Sequence, residues 1–274
     1  PMEIDAILCF GEEWKEYPLT TSACYIQDRI GARRAWGIDV QNRCCTTVSA
    51  MKLAKDILLA DDECNTILVA GGYRNCDFID FTDSGVSFMF NLGAGGGALI
   101  LKKGYEKNQL LGTHIMSDGS VVHTCGSKVG GIVEPVTAEN VSEFGMLRLM
   151  DSPKMKGMLN STSMPNWYHC IDEALRKSGM TRKDIGYLDI LHIKRSGHKA
   201  MLADLGLTED QTIYLEDYGH IGQVDQILSL KLALEQGKVK DGTVISMIAA
   251  GIGYTWAANV IKCCLLYTSD AADD

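Results

Sequence analysis

The sequence predicts an α/β fold built from two related halves. Short apolar runs alternate with amphipathic stretches along the 274 residues, as in parallel strands joined and covered by helices. The same order of elements occurs near the start and near the end of the chain, which indicates a duplicated βαβ unit. Apolar residues make up 46% of the chain and charged residues 22%, a composition that excludes a disordered chain.

The first half contains four predicted strands and two predicted helices. Continuous apolar runs predict the strands, and apolar residues three and four apart predict the helices. The first helix ends at Gly31, a residue suited to a helix C-terminus. The strands are predicted at residues 4–10, 36–40, 66–70 and 98–101, and the helices at 22–30 and 46–59.

The second half repeats this order, with Gly206 ending its first helix. Strands are predicted at residues 188–192, 212–215 and 243–249, and helices at 167–178, 198–205 and 224–236. We therefore divide the chain into an N-terminal half whose beginning is missing, an inserted substrate-facing connector, a C-terminal half and a tail without periodicity that resembles a translated adapter. These segments are 1–105, 106–165, 166–262 and 263–274.

Charge and cysteine content limit the class of protein. The net charge of −9 and the pI of about 5.2 argue against nucleic acid as a partner. No run approaches the ~20 apolar residues of a membrane span, and no secretory leader is recognisable. The ten cysteines include no C-x-x-C pair, so we expect no metal site and a reduced, cytoplasmic protein.

Cys44 is the candidate nucleophile. It lies between a predicted strand and a predicted helix, and such an elbow lifts a side chain to the edge of the sheet where α/β folds place their sites. Free backbone N–H groups and the helix dipole at that point favour a thiolate. Cys45 is the rival nucleophile, because the register of the elbow is uncertain by one residue; the alternative is that both are small residues of a tight turn.

Two histidines are candidates for the same site. His192 follows a predicted strand and could orient a carbonyl or move a proton, although an exposed loop histidine is the plainer interpretation. His220 holds the position in the second half that Cys44 holds in the first. Related elbows of a duplicated fold face each other, so we expect Cys44 and His220 in one pocket.

Two glycine-rich segments have different predicted roles. The small residues around Ile252, at 251–253, let a backbone N–H approach a reacting carbonyl, as an oxyanion hole requires; tight packing is the alternative. The run 93–97 is not a phosphate loop, because it enters a strand and no Lys-Ser/Thr pair follows. We interpret it as a site of close packing.

Several segments of the sequence together resemble a known family. Residues 39–45 (Asp-Val-Gln-Asn-Arg-Cys-Cys) are similar to the nucleophile elbow of ketoacyl-ACP synthase III enzymes of the thiolase superfamily. Residues 90–95 are similar to their glycine-rich strand entry, and His192 falls at their catalytic histidine. Residues 217–220 fall on their glycine–asparagine elbow, and 251–256 resemble their C-terminal glycine–aromatic–Thr-Trp signature.

The resemblance implies a thiolase-like five-layer αβαβα fold and a homodimer. It implies decarboxylative Claisen condensation of an acyl thioester with malonyl-ACP, in fatty-acid or specialised acyl metabolism, with acyl-CoA or acyl carrier protein as partner and without a cofactor. Cys44 would be the nucleophile and His192 would stabilise the enolate. The N–H groups of Cys44 and Ile252 would form the oxyanion hole.

Three departures from the family keep other functions open. His220 replaces the usual asparagine, Ile193-Lys194-Arg195 replaces a Gln-Ala-Asn run, and the first part of the family fold is absent. Lys194 and Arg195 could bind an anionic substrate or carrier, or could simply be exposed. The alternatives are non-decarboxylative acyl transfer to an ester or amide, with His220 as general base, and a catalytically silent subunit of a heterodimeric condensing enzyme.

Overall fold

A computed structural model describes residues 1–11, 15 and 17–264. The predicted tail from residue 265 onward lies outside the described residues. The first half forms a four-stranded sheet in the order β2-β1-β3-β4, in which β1 is parallel to β2 and β3, and β4 is antiparallel to β3. The strands are Ala6–Phe10 (β1), Trp36–Val40 (β2), Thr66–Tyr73 (β3) and Gly95–Lys102 (β4).

The second sheet has the order β5-β10-β9-β8. Strand β10 runs antiparallel to both neighbours, whereas β8 and β9 are parallel. A separate hairpin-like pair, β6 with β7, lies in the connector. The strands are Gln109–Ser117 (β5), Cys125–Ser127 (β6), Leu147–Leu149 (β7), Tyr187–Ile190 (β8), Val244–Gly251 (β9) and Thr255–Lys262 (β10).

Six α-helices cover the sheets in the described ranges. A five-residue π-helical turn, Leu159–Ser163, joins α3 to α4. The glycines predicted to end the first helix of each half do so: Gly31 and Gly206 have φ angles of 70° and 71°. The helices are Ser22–Ile30 (α1), Thr46–Ala60 (α2), Ser152–Met158 (α3), Met164–Lys177 (α4), Arg195–Leu205 (α5) and Asp225–Glu235 (α6).

The packing gives five layers. Alternate residues of β1 face opposite sides: Ile7 packs towards α1, whereas Leu8 packs towards α2. Helix α2 also contacts the second sheet, where Asn259 of β10 donates a hydrogen bond to the Val48 carbonyl at 3.0 Å. Helix α6 lies in the same central layer, and α4 and α5 cover the second sheet on its outer side. The thiolase-like αβαβα arrangement is confirmed.

The two halves correspond strand by strand. The parallel pair β1–β3 and the antiparallel pair β3–β4 match β8–β9 and β9–β10 in direction and order. The place equivalent to β2 is taken by an isolated parallel bridge between Leu188 and Thr212. The prediction of a strand at 212–215 is therefore wrong: a single bridge forms before the chain turns away.

The connector contributes to the second sheet. Strand β5 pairs with β10 along most of its length, so this part of residues 106–165 is integrated into the fold. Neither β5 nor β10 was predicted, because β10 mixes small and polar residues in a strand that is nearly all buried. Within the described residues, no helix is long and apolar enough to cross a membrane.

Candidate active site

Cys44 lies in the turn between β2 and α2. The turn is closed by Thr46, whose hydroxyl accepts the backbone N–H of Asn42 at 2.8 Å and donates to the Arg43 carbonyl at 2.5 Å. Arg43 has a φ of 53°, in the left-handed region that a non-glycine residue seldom adopts. The turn thereby places Cys44 at the start of α2, half-buried and facing the second half of the chain.

The structure distinguishes the two adjacent cysteines. Cys45 is fully buried, and its thiol contacts the Thr255 carbonyl at 3.4 Å. Burial raises the pKa of Cys45 well above its usual value. Cys44, by contrast, has its sulfur 3.1 Å from Nε2 of His220. The expectation that Cys44 and His220 lie in one pocket agrees with this geometry.

Backbone pairing holds His220 opposite Cys44. Its N–H donates to the Asn91 carbonyl at 2.8 Å, and its carbonyl accepts the Gly93 N–H at 2.8 Å. The preceding residue, Gly219, has a φ of 68°, and a Cβ there would lie 2.3 Å from the Asn91 oxygen. Only glycine fits this crossing. The glycine run after residue 92 begins at the same crossing, since a Cβ on Gly93 would lie 2.8 Å from the Tyr218 carbonyl oxygen. We predicted this run to be a site of close packing.

Asp225, the first residue of α6, completes a buried chain of contacts. Its Oδ2 accepts a hydrogen bond from His220 Nδ1 at 2.6 Å and another from the backbone N–H of His192 at 2.7 Å. Its Oδ1 accepts the N–H of Ile221 at 2.7 Å. The side chain is completely buried. Cys44, His220 and Asp225 are thus linked in the order thiol, imidazole and carboxylate.

The charges in this chain favour a protonated imidazole. Burial alone lowers the pKa of His220, but the Asp225 carboxylate and the Cys44 sulfur outweigh it and raise the pKa well above its usual value. The protonated form of the His220 imidazole is therefore favoured. In that form its Nε2 carries a proton and can donate a hydrogen bond to the Cys44 sulfur.

His192 lies at the C-terminal end of β8, where it was predicted. Its ring packs on that of Tyr214, with centroids 4.8 Å apart, and its Nδ1 has no hydrogen-bond partner among the described residues. Burial lowers the pKa of His192, with His220 and Arg195 acting in the same direction. The backbone N–H of His192 and the imidazole of His220 thus share the Asp225 carboxylate, while the pKa values of the two imidazoles are shifted in opposite directions.

The turn containing Ile252 lies directly against the nucleophile elbow. A Cβ on Gly251 would be 2.8 Å from the Asn42 carbonyl and 3.3 Å from the backbone nitrogen of Cys44. The turn connects β9 with β10 and follows at once on this contact. Ile252 and the Cys44 N–H are therefore neighbours, and their role as oxyanion-hole donors stays a prediction.

The basic side chains near the start of α5 are largely paired with acids. Arg195 forms an ion pair with Glu216 and lies over the Tyr214 ring, 4.2 Å from its centroid. Lys199 pairs with Glu209 at 2.8 Å. Lys194 is the residue that precedes the helix. The roles of Lys194 and Arg195 towards a carrier stay predictions.

Asp225 is the functional residue that sequence reasoning missed. An acidic residue in the first turn of a helix is common and stabilises the helix dipole, so Asp225 by itself carried no signal. The available clue was its spacing from His220: the carboxylate lies five positions after the imidazole and begins a mainly apolar helix. In the described residues, no group of three or more His, Cys, Asp or Glu side chains is arranged to hold a metal ion.

Comparisons with known proteins agree with this fold. Two sequence profiles match: 3-oxoacyl-[acyl-carrier-protein (ACP)] synthase III over residues 38–119, and the C-terminal region of the same family over 175–263. Together they cover more than half of the chain. The first match includes Cys44, and the second includes both site histidines and Asp225.

Individual relatives carry the same name. Beta-ketoacyl-[acyl-carrier-protein] synthase III of Natranaerobius thermophilus is 24% identical over 96% of this chain and 78% of the relative. The protein of the same name from Aliarcobacter butzleri is 27% identical over 95% of this chain and 77% of the relative.

Solved structures support the same fold. The crystal structure of 3-oxoacyl-[acyl-carrier-protein] synthase III from Aquifex aeolicus superposes with a TM-score of 0.78 at 21% identity, covering 95% of this chain and 77% of that one. The priming beta-ketosynthase of the R1128 polyketide pathway gives 0.77 at 20% identity, covering 96% and 76%. The chain belongs to the 3-oxoacyl-[acyl-carrier-protein] synthase III family.

Proposed function

We propose that this protein is an acyltransferase that condenses an acyl thioester with malonyl-ACP by decarboxylation. The observation that carries the proposal is the 3.1 Å contact between the Cys44 sulfur and His220 Nε2, with Asp225 behind it. The names of the relatives support the choice of a carrier-bound substrate. The profile match over the nucleophile elbow supports the role of Cys44.

The first half-reaction is transfer of the acyl group to Cys44. The thiolate attacks the thioester carbonyl, the new C–S bond forms as the old one breaks, and the departing thiolate takes the proton of the His220 imidazolium. The N–H groups of Cys44 and Ile252 are placed to stabilise the oxyanion. The proximity of Gly251 to the elbow supports this assignment.

The second half-reaction forms the carbon–carbon bond. Loss of carbon dioxide from the malonyl group leaves an enolate, which attacks the acyl carbonyl on Cys44 and expels the thiolate again. A hydrogen bond to the thioester oxygen stabilises the enolate. We assign that donor role to His192, supported by its place at the end of β8. A second donor role falls to His220, whose Nε2 takes up a proton from solvent after the first thiol has left and then substitutes an N–H for the amide of the usual asparagine.

A second candidate function is acyl transfer to a hydroxyl or amine without decarboxylation. The specific observation in its favour is the Asp225–His220 hydrogen bond, since a carboxylate behind an imidazole is the arrangement of a general base. Once His220 has given its proton to the departing thiolate, its Nε2 can remove a proton from an alcohol or amine. The alternative of a catalytically silent subunit has less support. Such a subunit would not require an imidazole beside Cys44, and His220 is in contact with it.

The assembly and cellular location are also proposals. We propose a homodimer, supported by the exposed apolar side chains Trp36 and Ile38 on β2, the edge strand of the first sheet. We propose a cytoplasmic location, supported by ten cysteines that are all free thiols within the described residues. Acyl-CoA or acyl carrier protein is the proposed partner, and no cofactor or nucleic acid is required.

Acyl labelling tests the nucleophile. The purified protein is incubated with radiolabelled acyl-CoA, and the labelled residue is found by mass spectrometry. We expect label on the wild type and on Cys45→Ala, and none on Cys44→Ala. Addition of malonyl-ACP then decides the reaction: release of a 3-oxoacyl product with carbon dioxide supports condensation. An active enzyme indifferent to malonyl-ACP supports transfer, and equal labelling of all three proteins contradicts the nucleophile assignment.

A further inference from the structure

Tyr214 contacts three side chains of the second half. One side of its ring packs on His192 at 4.8 Å between centroids, with an angle of 42° between the planes. The guanidinium of Arg195 lies over the same ring at 4.2 Å, within the range of a cation–π interaction. The edge of His198 meets it at 5.3 Å. We call the set Arg195, Tyr214 and His192 the aromatic bracket.

The aromatic bracket restrains the His192 ring, whose Nδ1 has no hydrogen bond from the described part of the chain to orient it. The backbone N–H of His192 is bonded to Asp225, which fixes the main chain, but His192 Nδ1 is buried without a partner among the described residues. A histidine that acts on a substrate is usually oriented by a hydrogen bond to its second ring nitrogen. Ring packing is therefore the contact in the structure that can set the orientation of the His192 imidazole.

The outer part of the bracket is itself anchored. Arg195 pairs with Glu216, two residues beyond Tyr214, so the cation and the ring are tied to the same segment of chain. His198 is buried and its Nε2 lies 3.1 Å from the Thr212 hydroxyl, which fixes the side of the ring facing α5. Tyr214 is thus restrained on more than one side, as a residue that positions another must be.

We propose that Tyr214, backed by Arg195, is the positioning residue that orients His192 for the second half-reaction. This inference rests on the proposed function, because it takes from that function the role of His192 towards the enolate. Tyr214 touches no reacting atom in this scheme. It acts through His192, and acylation of Cys44, which depends on His220, should not need it.

The test separates the two half-reactions in three proteins. Wild type, Tyr214→Phe and Tyr214→Leu are compared; Phe keeps the ring and Leu fills the volume without it. Acylation of Cys44 by acyl-CoA is followed by intact mass. Condensation is followed with the malonyl thioester of N-acetylcysteamine, which has no phosphate and no carrier protein.

We expect Tyr214→Leu to lower kcat of condensation by about ten- to hundredfold, the effect of a displaced catalytic group. Its acylation rate should stay within about twofold of wild type, and Tyr214→Phe should match wild type in both steps. The ring-proton NMR signals of His192 should shift in Tyr214→Leu, through loss of the Tyr214 ring current, and less in Tyr214→Phe. Unchanged condensation in Tyr214→Leu, or an equal fall in both steps, overturns the inference.

Substitution of Arg195 is a second, independent test of the proposal. In the bracket, Arg195→Met should lower kcat with the phosphate-free malonyl thioester, because the face of Tyr214 loses its cation. A change confined to KM for the carrier protein would instead show docking and overturn the role of Arg195 in the bracket. A wild type that takes no acyl label contradicts the proposed function itself, whereas the His192 NMR shift still tests the packing.

Discussion

His220 Nδ1 donates a hydrogen bond to Asp225 Oδ2 at 2.6 Å, inside a region from which solvent is excluded. A buried carboxylate requires compensation, and here it receives three N–H groups, two of them from the backbone. The Asp225 carboxylate therefore has two effects. It favours the protonated form of the His220 imidazole, which faces Cys44, and it links the start of α6 to His220 and to His192 after β8.

Replacing Asp225 by asparagine should make Cys44 less reactive. The amide carries no charge, so the pKa of His220 falls and the thiolate loses its imidazolium partner. We expect the rate of iodoacetamide alkylation of Cys44 at pH 7 to fall by about tenfold or more. Asp217→Asn is the control, because it removes an exposed carboxylate three residues before His220. Equal alkylation rates in wild type and Asp225→Asn would contradict the role of Asp225.

The pH dependence of turnover should distinguish the two candidate reactions. The pKa of His220 is raised by Asp225 and Cys44, so the imidazolium persists to a pH above its usual range. In acylated protein Cys44 is an uncharged thioester, so Asp225 alone raises the pKa of His220. If His220 donates a hydrogen bond in condensation, the rate of the second half-reaction falls as pH rises through the pKa of His220 in the acylated protein. If it removes a proton from an alcohol or amine, the rate rises through the same value. Single-turnover measurements on acylated protein from pH 6 upward provide the comparison.

Buried histidines in the second half should make the fold sensitive to acid. Burial lowers the pKa of His198 to about 4, with His192 and Arg195 acting in the same direction. Because the unfolded chain takes up this proton near pH 6.5, the folded state loses stability as pH falls from about 6.5 to 4, by at most about 3 kcal/mol. His192, whose pKa is also lowered, adds to the loss.

Urea unfolding at several pH values tests this acid sensitivity. His198→Gln, which keeps an N–H donor near Thr212, should have a free energy of unfolding that varies less between pH 6.5 and 4 than that of the wild type. His123→Gln, at an exposed site, should retain the wild-type slope. A wild-type slope in His198→Gln would show that other groups cause the acid sensitivity.

A methyl group on Gly251 should disturb the nucleophile elbow. Its Cβ would lie 2.8 Å from the Asn42 carbonyl, closer than these atoms can approach, and 3.3 Å from the Cys44 nitrogen. We expect Gly251→Ala to destabilise the protein by about 1–3 kcal/mol and to reduce acyl labelling of Cys44. Gly157→Ala is the control: no heavy atom lies within 4 Å of its Cβ position in α3, so it should be neutral or stabilising. Normal labelling of Gly251→Ala would exclude a tight elbow.

Sequence reasoning located the two halves of the site, but one key partner was missing. The duplicated order of elements was enough to place Cys44 opposite His220, because equivalent elbows of related halves meet. It could not reveal Asp225, since a carboxylate at a helix start is explained by the helix dipole alone. It could not decide between Cys44 and Cys45 either, because a shift of one residue moves a side chain from the cleft into the core.

Long-range contacts account for the remaining differences. The strand predicted at 212–215 is reduced to one bridge, at Thr212, and Tyr214 turns instead to pack on His192. Strand β10 escaped prediction because its buried Asn259 is paired with the Val48 carbonyl of α2, a partner 211 residues away along the chain. The sequence indicated no acidic partner for the cations at the start of α5, because those partners are distant along the chain. Arg195, for example, pairs with Glu216.

The division of the site between the halves has a practical consequence. The first half supplies the sulfur, and the second supplies both imidazoles and the carboxylate, so neither half alone holds an activated thiol. The alkylation rate of Cys44 therefore reports whether the two halves are correctly packed against each other. Because buried Cys45 lies next to it, a probe that modifies both thiols would register opening of the core, while modification of Cys44 alone would mark an intact assembly.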